Sequence, residues 1–248
     1  KLSSTGEITR LAWNLENPDG ALVADGAYTW SLRAIDAWAN AALTRSGTFT
    51  VDGTAPVSRA VPEATAGDNG WFASPVSVTL ASKDALSGVR SIVWRIDGGT
   101  ATRYDGPVRI TGDGTRTLEY RATDRAGVRE AWKAIELRID TQAPGVTLVP
   151  SGTAGDTEGT WRGPVTIEAA ITDATSGVRT RRFSVDGGDA ATLPADPIKV
   201  KGDGSHTVAV TAVDKAGNRT STTLDFVIDT KAPVIKLPAA TDTVPTVT

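Results

Sequence analysis

The chain has 248 residues, 40% of them apolar and 22% charged, a composition able to fold and long enough for two or three domains. Its formal charge of −3 is spread with both signs interspersed and no basic block, which excludes the electrostatic footprint of a nucleic-acid or anionic-membrane partner. No apolar run is long enough to span a bilayer, and cysteine is absent, so neither membrane insertion of this segment nor a disulfide framework is read from it.

The first predicted unit, residues 1–52, reads as a partial or N-terminally truncated domain. Gly26 to Asp36 alternates Tyr28, Trp30, Leu32 and Ala34 with polar neighbours, and a second strand covers Thr48 to Asp52. This period of two marks strands with one buried face, and it places Trp30 inward. A punctuation mark follows, Val51-Asp52-Gly53-Thr54-Ala55-Pro56, and it returns as Ile139-Asp140-Thr141-Gln142-Ala143-Pro144 and Ile228-Asp229-Thr230-Lys231-Ala232-Pro233. The aspartates of these marks stand 88 and 89 residues apart, an interval that signals tandem small domains rather than one large core.

The second unit, residues 53–140, is predicted to hold seven strands near 57–61, 75–82, 90–96, 101–104, 107–111, 115–124 and 131–140. Val76, Val78 and Leu80 alternate with Ser77 and Thr79, Trp94 and Ile96 face inward, and Leu118, Tyr120 and Ala122 repeat the pattern. Asp-Gly and Gly-Gly pairs separate the strands, as tight hairpin turns require positive φ. Trp71 is expected at the start of the second strand, packed beneath a loop.

The third unit, residues 141–229, repeats these features: Trp161 for Trp71, Phe183 and Val185 for Trp94 and Ile96, and Gly202-Asp203-Gly204 for Gly112-Asp113-Gly114. Residues 230–248 read as a linker and the first strand of a further unit. Seven strands in about 90 residues suggest immunoglobulin-like sandwiches. The expected fold is therefore all-β, with tandem immunoglobulin-like β-sandwich domains held end to end by short linkers whose prolines fix φ. Lys1 and the absence of methionine suggest an internal or processed piece, so the lack of a leader says nothing about export.

The run Gly70-Trp71-Phe72, Asp84…Ser87-Gly88-Val89, Asp97-Gly98-Gly99, Gly112-Asp113-Gly114, Ala122-Thr123-Asp124-Arg125-Ala126-Gly127 and Asp140-Thr141…Ala143-Pro144 resembles bacterial Ig-like repeats of large exported and surface-anchored proteins. Asp214-Lys215-Ala216-Gly217-Asn218 has the fuller Asp-x-Ala-Gly-Asn form, and Asp25-Gly26-Ala27-Tyr28 with Asp36-Ala37-Trp38-Ala39-Asn40 is similar to the Ig-like domain of flagellar hook-cap proteins. The resemblance spans roughly residues 10–233 and departs from the pattern at Val128, where asparagine is expected, and at Ala39, where glycine is expected. It implies a β-sandwich, an extracellular or cell-surface location, and a spacer, adhesive or accessory role without catalysis.

The inventory for catalysis is thin. The one histidine, His206, stands where the sister units carry Arg116 and Tyr28, which fits a structural role. No nucleophile elbow, phosphate loop or zinc spacing occurs. Two readings are open for the aspartates. In a Greek-key sandwich Asp84 and Asp124 should lie near Asp52, and Asp173 and Asp214 near Asp140, so these carboxylates could bind calcium at the junctions. Alternatively, each caps the backbone of its own turn.

Among the aromatics, Trp38 and Trp132 lie in or beside loops, have no counterpart in the third unit, and are the candidates for ligand contact. Arg179, Arg181 and Arg182 are read as charges that blunt an exposed edge strand. The composite expectation is a non-catalytic stalk or spacer of a bacterial surface or secreted protein. The alternatives are an adhesin or carbohydrate-binding accessory module, contacting a cell-surface polysaccharide or protein receptor, and a subunit of a surface filament built by homotypic assembly.

Overall fold

The computed structural model describes residues 12–67 and 70–236; the beginning of the first unit and most of the tail strand anticipated after 230 lie outside them. No α-helix occurs among the described residues, and the chain divides into two units, the first closing at Asp140 and the second running from Thr141.

The first unit begins with an antiparallel hairpin, β1 (Gly26–Leu32) and β2 (Arg45–Val51), in the register Gly26↔Val51 to Leu32↔Arg45. A two-sheet sandwich follows. One sheet has the order β3 (Val57–Pro62), β5 (Val76–Lys83), β8 (Val108–Ile110), all antiparallel. The other has the order β4 (Trp71–Phe72), β10 (Lys133–Ile139), β9 (Gly114–Asp124), β6 (Val89–Ile96), β7 (Thr102–Arg103). All pairs in this sheet are antiparallel except β4 with β10.

The second unit repeats this strand order. One sheet holds β11 (Gly145–Ser151), β13 (Val165–Thr172) and β16 (Ile198–Val200). The other holds β12 (Thr160–Trp161), β18 (Arg219–Ile228), β17 (Gly204–Asp214), β14 (Val178–Val185) and β15 (Ala191–Thr192). Even the irregularities coincide: a register shift falls between Val89 and Ser91 in one unit and between Val178 and Thr180 in the other. Both units are immunoglobulin-like β-sandwiches.

The alternation in sequence becomes the core. Val76, Val78, Leu118, Ala122 and Ile139 lose all solvent contact in the first unit; Val165, Ile167, Val208, Val210 and Ala212 do so in the second. Ser77 and Thr79, which alternate with Val76, Val78 and Leu80, stay half-exposed on the outer face. Asp97 (φ 50°) and Gly98 (φ 73°) turn β6 back with a Gly99 N–H donating to Ile96 O at 2.9 Å, and Asp186 and Gly187 repeat the turn. Positive φ at both central residues gives the turn a twist that matches the flanking strands.

Three expectations are corrected. Trp71 does not start the second strand: with Phe72 it makes a separate two-residue strand lying parallel on β10, Arg138↔Trp71 and Ile139↔Phe72. Its placement follows from Gly70 at φ 76°, which redirects the chain, and from Phe72, which buries in the core. Trp94 is only partly buried against that core.

Trp30 was expected inside, yet it is 45% exposed, and Leu32 is 41% exposed. Their counterparts in the complete units, Leu118 and Tyr120 or Val208 and Val210, are 0–5% exposed. Among the described residues the hairpin has the two strands of the larger sheet without a facing three-stranded sheet, which leaves its apolar face exposed. Instead Trp30 lies across Gly47, where a Cβ would stand 2.7 Å from its indole nitrogen; Trp13, Tyr28 and Phe49 cluster with centroids 5.7–6.0 Å apart.

One buried polar clasp ties the two sheets of the first sandwich together. Glu130, just before β10, is 8% exposed and accepts the Ser58 N–H of β3 at 3.0 Å and the Ala122 N–H of β9 at 3.2 Å. It also accepts the Ser58 hydroxyl and pairs with Lys133, whose ammonium donates to Ser58 O at 2.7 Å. Burial pushes the Glu130 carboxyl up, but the Lys133 ion pair and the Ser58 and Ala122 bonds together outweigh it and leave it lowered. In the second unit Thr220 takes the same repeat position and donates its hydroxyl to Pro144 O at 2.6 Å.

Candidate metal centre

Asp52 follows the last residue of β2, Asp84 follows β5, and Asp124 ends β9. The fold brings them together, with one carboxylate oxygen of each lying within 4.8 Å of the others. Each is also employed in the backbone. Asp84 Oδ1 accepts the Leu86 N–H at 3.2 Å and the Gly88 N–H at 2.7 Å, closing the β5–β6 loop. Asp124 Oδ1 accepts the Gly127 N–H at 2.6 Å and the Val128 N–H at 2.8 Å.

Asp52 reaches forward into the sandwich. Its Oδ1 accepts the Thr54 N–H at 3.1 Å and its Oδ2 the Ser87 N–H at 2.9 Å. The Ser87 hydroxyl and amide beside it hold the Asp52 carboxyl below the usual carboxylate range, despite the opposing push of burial. The two sequence readings are therefore compatible: an aspartate that caps a turn with one oxygen can still contribute to a cluster with the other.

Asp124 is fully buried, and its Oδ2 has no hydrogen-bond partner. A groove of about 440 Å³ opens beside the cluster, lined by Thr54, Val57, Ala85 and Leu86 together with Asp52 and Asp84.

In the second unit Asp173 and Asp214 also approach within 4.8 Å of each other. Asp173 Oδ1 accepts the Gly177 N–H at 2.5 Å; Asp214 Oδ1 accepts the Gly217 and Asn218 N–H groups at 2.6 and 2.9 Å. Asp140, the last residue of the first unit, is fully buried and receives its place from β10, its own N–H donating to Phe72 O at 2.9 Å.

The aromatic candidates separate. Trp132 is half-buried, and its ring carries the guanidinium of Arg95 at 4.4 Å and that of Arg121 at 4.5 Å. Arg95 is fixed in turn by Glu119 through a paired contact of 2.7 and 2.8 Å. Both contacts are cation–π interactions supplied by the protein itself. Trp38 is 84% exposed. It sits in a turn held by Asp36, which accepts the Trp38 and Asn40 N–H groups at 2.9 and 2.8 Å; Ala39, where glycine is the expected residue, takes φ 68°.

His206 is structural in its contacts. Its Nε2–H donates to Gly202 O at 2.9 Å while Nδ1 stands 2.8 Å from the Asp186 carboxylate, and the ring lies against Phe226. Both neighbours are acceptors, so the doubly protonated ring suits them best, and the carbonyl and carboxylate raise its pKa.

Sequence reasoning missed a second pair of aspartates with a shared duty. Asp25 accepts the Gly53 N–H at 2.6 Å and the Thr54 hydroxyl, clamping the chain as it leaves the hairpin. At the same repeat position Asp203 accepts the Thr230 N–H at 2.9 Å and its hydroxyl at 2.6 Å, with Lys231 at 3.4 Å. The signal was there in the recurrence of Asp-Gly before each sixth strand together with Thr in the linkers.

No family model matches the chain, and no curated protein matches it. Among solved structures it is similar to the fibronectin(III)-like modules of Clostridium thermocellum CbhA, at 14% identity over 73% of this chain and 100% of that one, with a TM-score of 0.34. It is similar to the D00–D0 domain of intimin at 16% identity, over 69% of this chain and 100% of that one, with a TM-score of 0.34. It is also similar to a tetra-tandem repeat in the extending region of a large adhesion protein, at 25% identity over 84% of this chain and 58% of that one, with a TM-score of 0.27. The assignment of the fold rests on the strand order above and not on these scores.

Proposed function

We propose that this chain is a non-catalytic stalk or spacer segment of an extracellular or cell-surface bacterial protein. The observation that carries the reading is the repeated clamp on the exit linker. The hairpin and the second sandwich each use the aspartate of their Asp-Gly turn, Asp25 and Asp203, to fix the first residues of the following linker. A linker held by the module before it transmits force and orientation instead of swivelling. Two sandwiches with the same strand order, each with its own core, are suited to serial repetition of such a unit.

Stretching the chain between its ends tests this. The spacer reading predicts separate rupture events, each releasing on the order of 300 Å of chain for a repeat of some ninety residues. Smooth extension without rupture would overturn it. A second reading, a polysaccharide- or protein-binding adhesin module, is favoured by one observation, the 84% exposure of Trp38 on a turn fixed by Asp36. Saturable binding of a cell-surface polysaccharide that is lost in Trp38→Ala, with unfolding unchanged, would establish that reading in place of the first.

A further inference from the structure

The aspartate at the end of the sixth strand of each sequence repeat, or a few residues beyond it, occurs three times, and the partner of one of its oxygens differs. Asp36, Asp124 and Asp214 all spend Oδ1 on the amides of their own turn. Their Oδ2 atoms diverge. Asp36 Oδ2 accepts the Asn40 side-chain amide at 2.8 Å, and Asp214 Oδ2 accepts the Asn218 side-chain amide at 2.8 Å. The first sandwich has Val128 at that position, whose side chain has nothing to donate. Asp124 is 0% exposed, and its Oδ2 is left without a partner.

A buried carboxylate oxygen with no donor is costly unless a proton or a cation meets it. Here two more carboxylates, Asp52 and Asp84, each place an oxygen within 4.8 Å of an oxygen of the Asp124 carboxylate and of each other. We propose that Asp52, Asp84 and Asp124 together bind a calcium ion, which supplies to Asp124 what asparagine supplies to its counterparts. Two oxygens on opposite sides of one calcium, each about 2.4 Å from it, stand about 4.8 Å apart, so oxygens that lie within 4.8 Å of one another can share one ion.

The three donors are all hard oxygen, with no histidine or cysteine in the group to favour a softer metal. The three residues come from the end of β2, from the β5–β6 loop and from the end of β9. A calcium ion there fastens the hairpin's exit to the top of the sandwich, adjacent to the Thr54 amide that Asp52 already holds. In use this rests on the spacer reading, since stiffening a joint matters to a stalk; as a binding site it stands without it.

The test is thermal unfolding and calorimetric titration of the full chain with calcium chloride, with magnesium chloride, and with a chelator. Calcium raises the midpoint of the first unit by several degrees, magnesium does so at least tenfold less effectively, and Asp124→Asn abolishes the response. Val128→Asn restores the amide of the sister turns; it raises the midpoint in chelator and weakens calcium binding at least tenfold. This variant keeps the proposal testable if Asp124→Asn does not fold.

Identical midpoints in calcium and chelator with no heat of binding would overturn the proposal. An equal response to magnesium would overturn the assignment to calcium. Rupture events that persist unchanged in chelator, with no calcium binding, would sink the site while leaving the spacer reading intact.

Discussion

Replacing Glu130 by alanine removes the acceptor that joins β3 to β9 across the first sandwich. Two amides lose their partner, Ser58 N–H at 3.0 Å and Ala122 N–H at 3.2 Å, and both residues are nearly or wholly buried. Each orphaned buried donor costs about 1–3 kcal/mol, and the partial access of water through the space left by the side chain places the sum at about 2–4 kcal/mol. Lys133 is 38% exposed and still reaches Ser58 O, so it rehydrates at little further cost.

For a domain of this size that corresponds to a midpoint lower by roughly 10–20 °C. Glu130→Gln keeps one acceptor oxygen and should fall between wild type and alanine. Glu130 also predicts a pH dependence. Its folded pKa lies below its unfolded value of 4.5, so its contribution is present above that value and lost as pH falls through the lower folded pKa. Chemical denaturation of the three proteins from pH 3 to 7 measures both effects. An alanine variant within about 0.5 kcal/mol of wild type at pH 7, the scatter expected of an ordinary surface change, would refute the reasoning.

Gly217 takes φ 105° with no heavy atom within 4 Å of where a Cβ would lie, so Gly217→Ala tests backbone strain without a clash. A destabilisation of the second unit by about 1–2 kcal/mol is expected, read by urea unfolding. The raised pKa of His206 gives the opposite pH trend from Glu130: its stabilisation is complete below the unfolded value of 6.5 and fades as pH rises through the higher folded pKa. The midpoint of the second unit should therefore drop through that window in wild type and not in His206→Gln.

What the sequence disclosed depended on whether a feature repeats or alternates. The long strands were legible because Val76, Val78 and Leu80, or Leu118, Tyr120 and Ala122, present one apolar face at a period of two. Strand β4 was not, since two residues on a parallel neighbour carry no period at all. Trp30 shows a different limit: alternation tells which side of a strand is apolar, not whether another sheet exists to cover it.

The convergence of Asp52, Asp84 and Asp124 was legible from topology, because a Greek-key sandwich puts those loops at the pole where the chain comes in. The significance of Val128 was half legible. It stood out as a departure from asparagine, but only the geometry showed that the departure strips Asp124 Oδ2 of its donor. Glu130 had no signal, since Thr220 fills its position in the sister unit and donates to a carbonyl where Glu130 accepts from amides.

The account depends most on the claim that each sandwich closes around its own interior. Native-state hydrogen exchange on Leu118→Ala and Val208→Ala, two wholly buried residues at the same repeat position, tests it most directly. Truncating Leu118 should cost about 3–5 kcal/mol and accelerate exchange from β3 to β10, leaving amides from β11 to β18 as in wild type; Val208→Ala should do the reverse. Faster exchange throughout the chain from either substitution would contradict the claim.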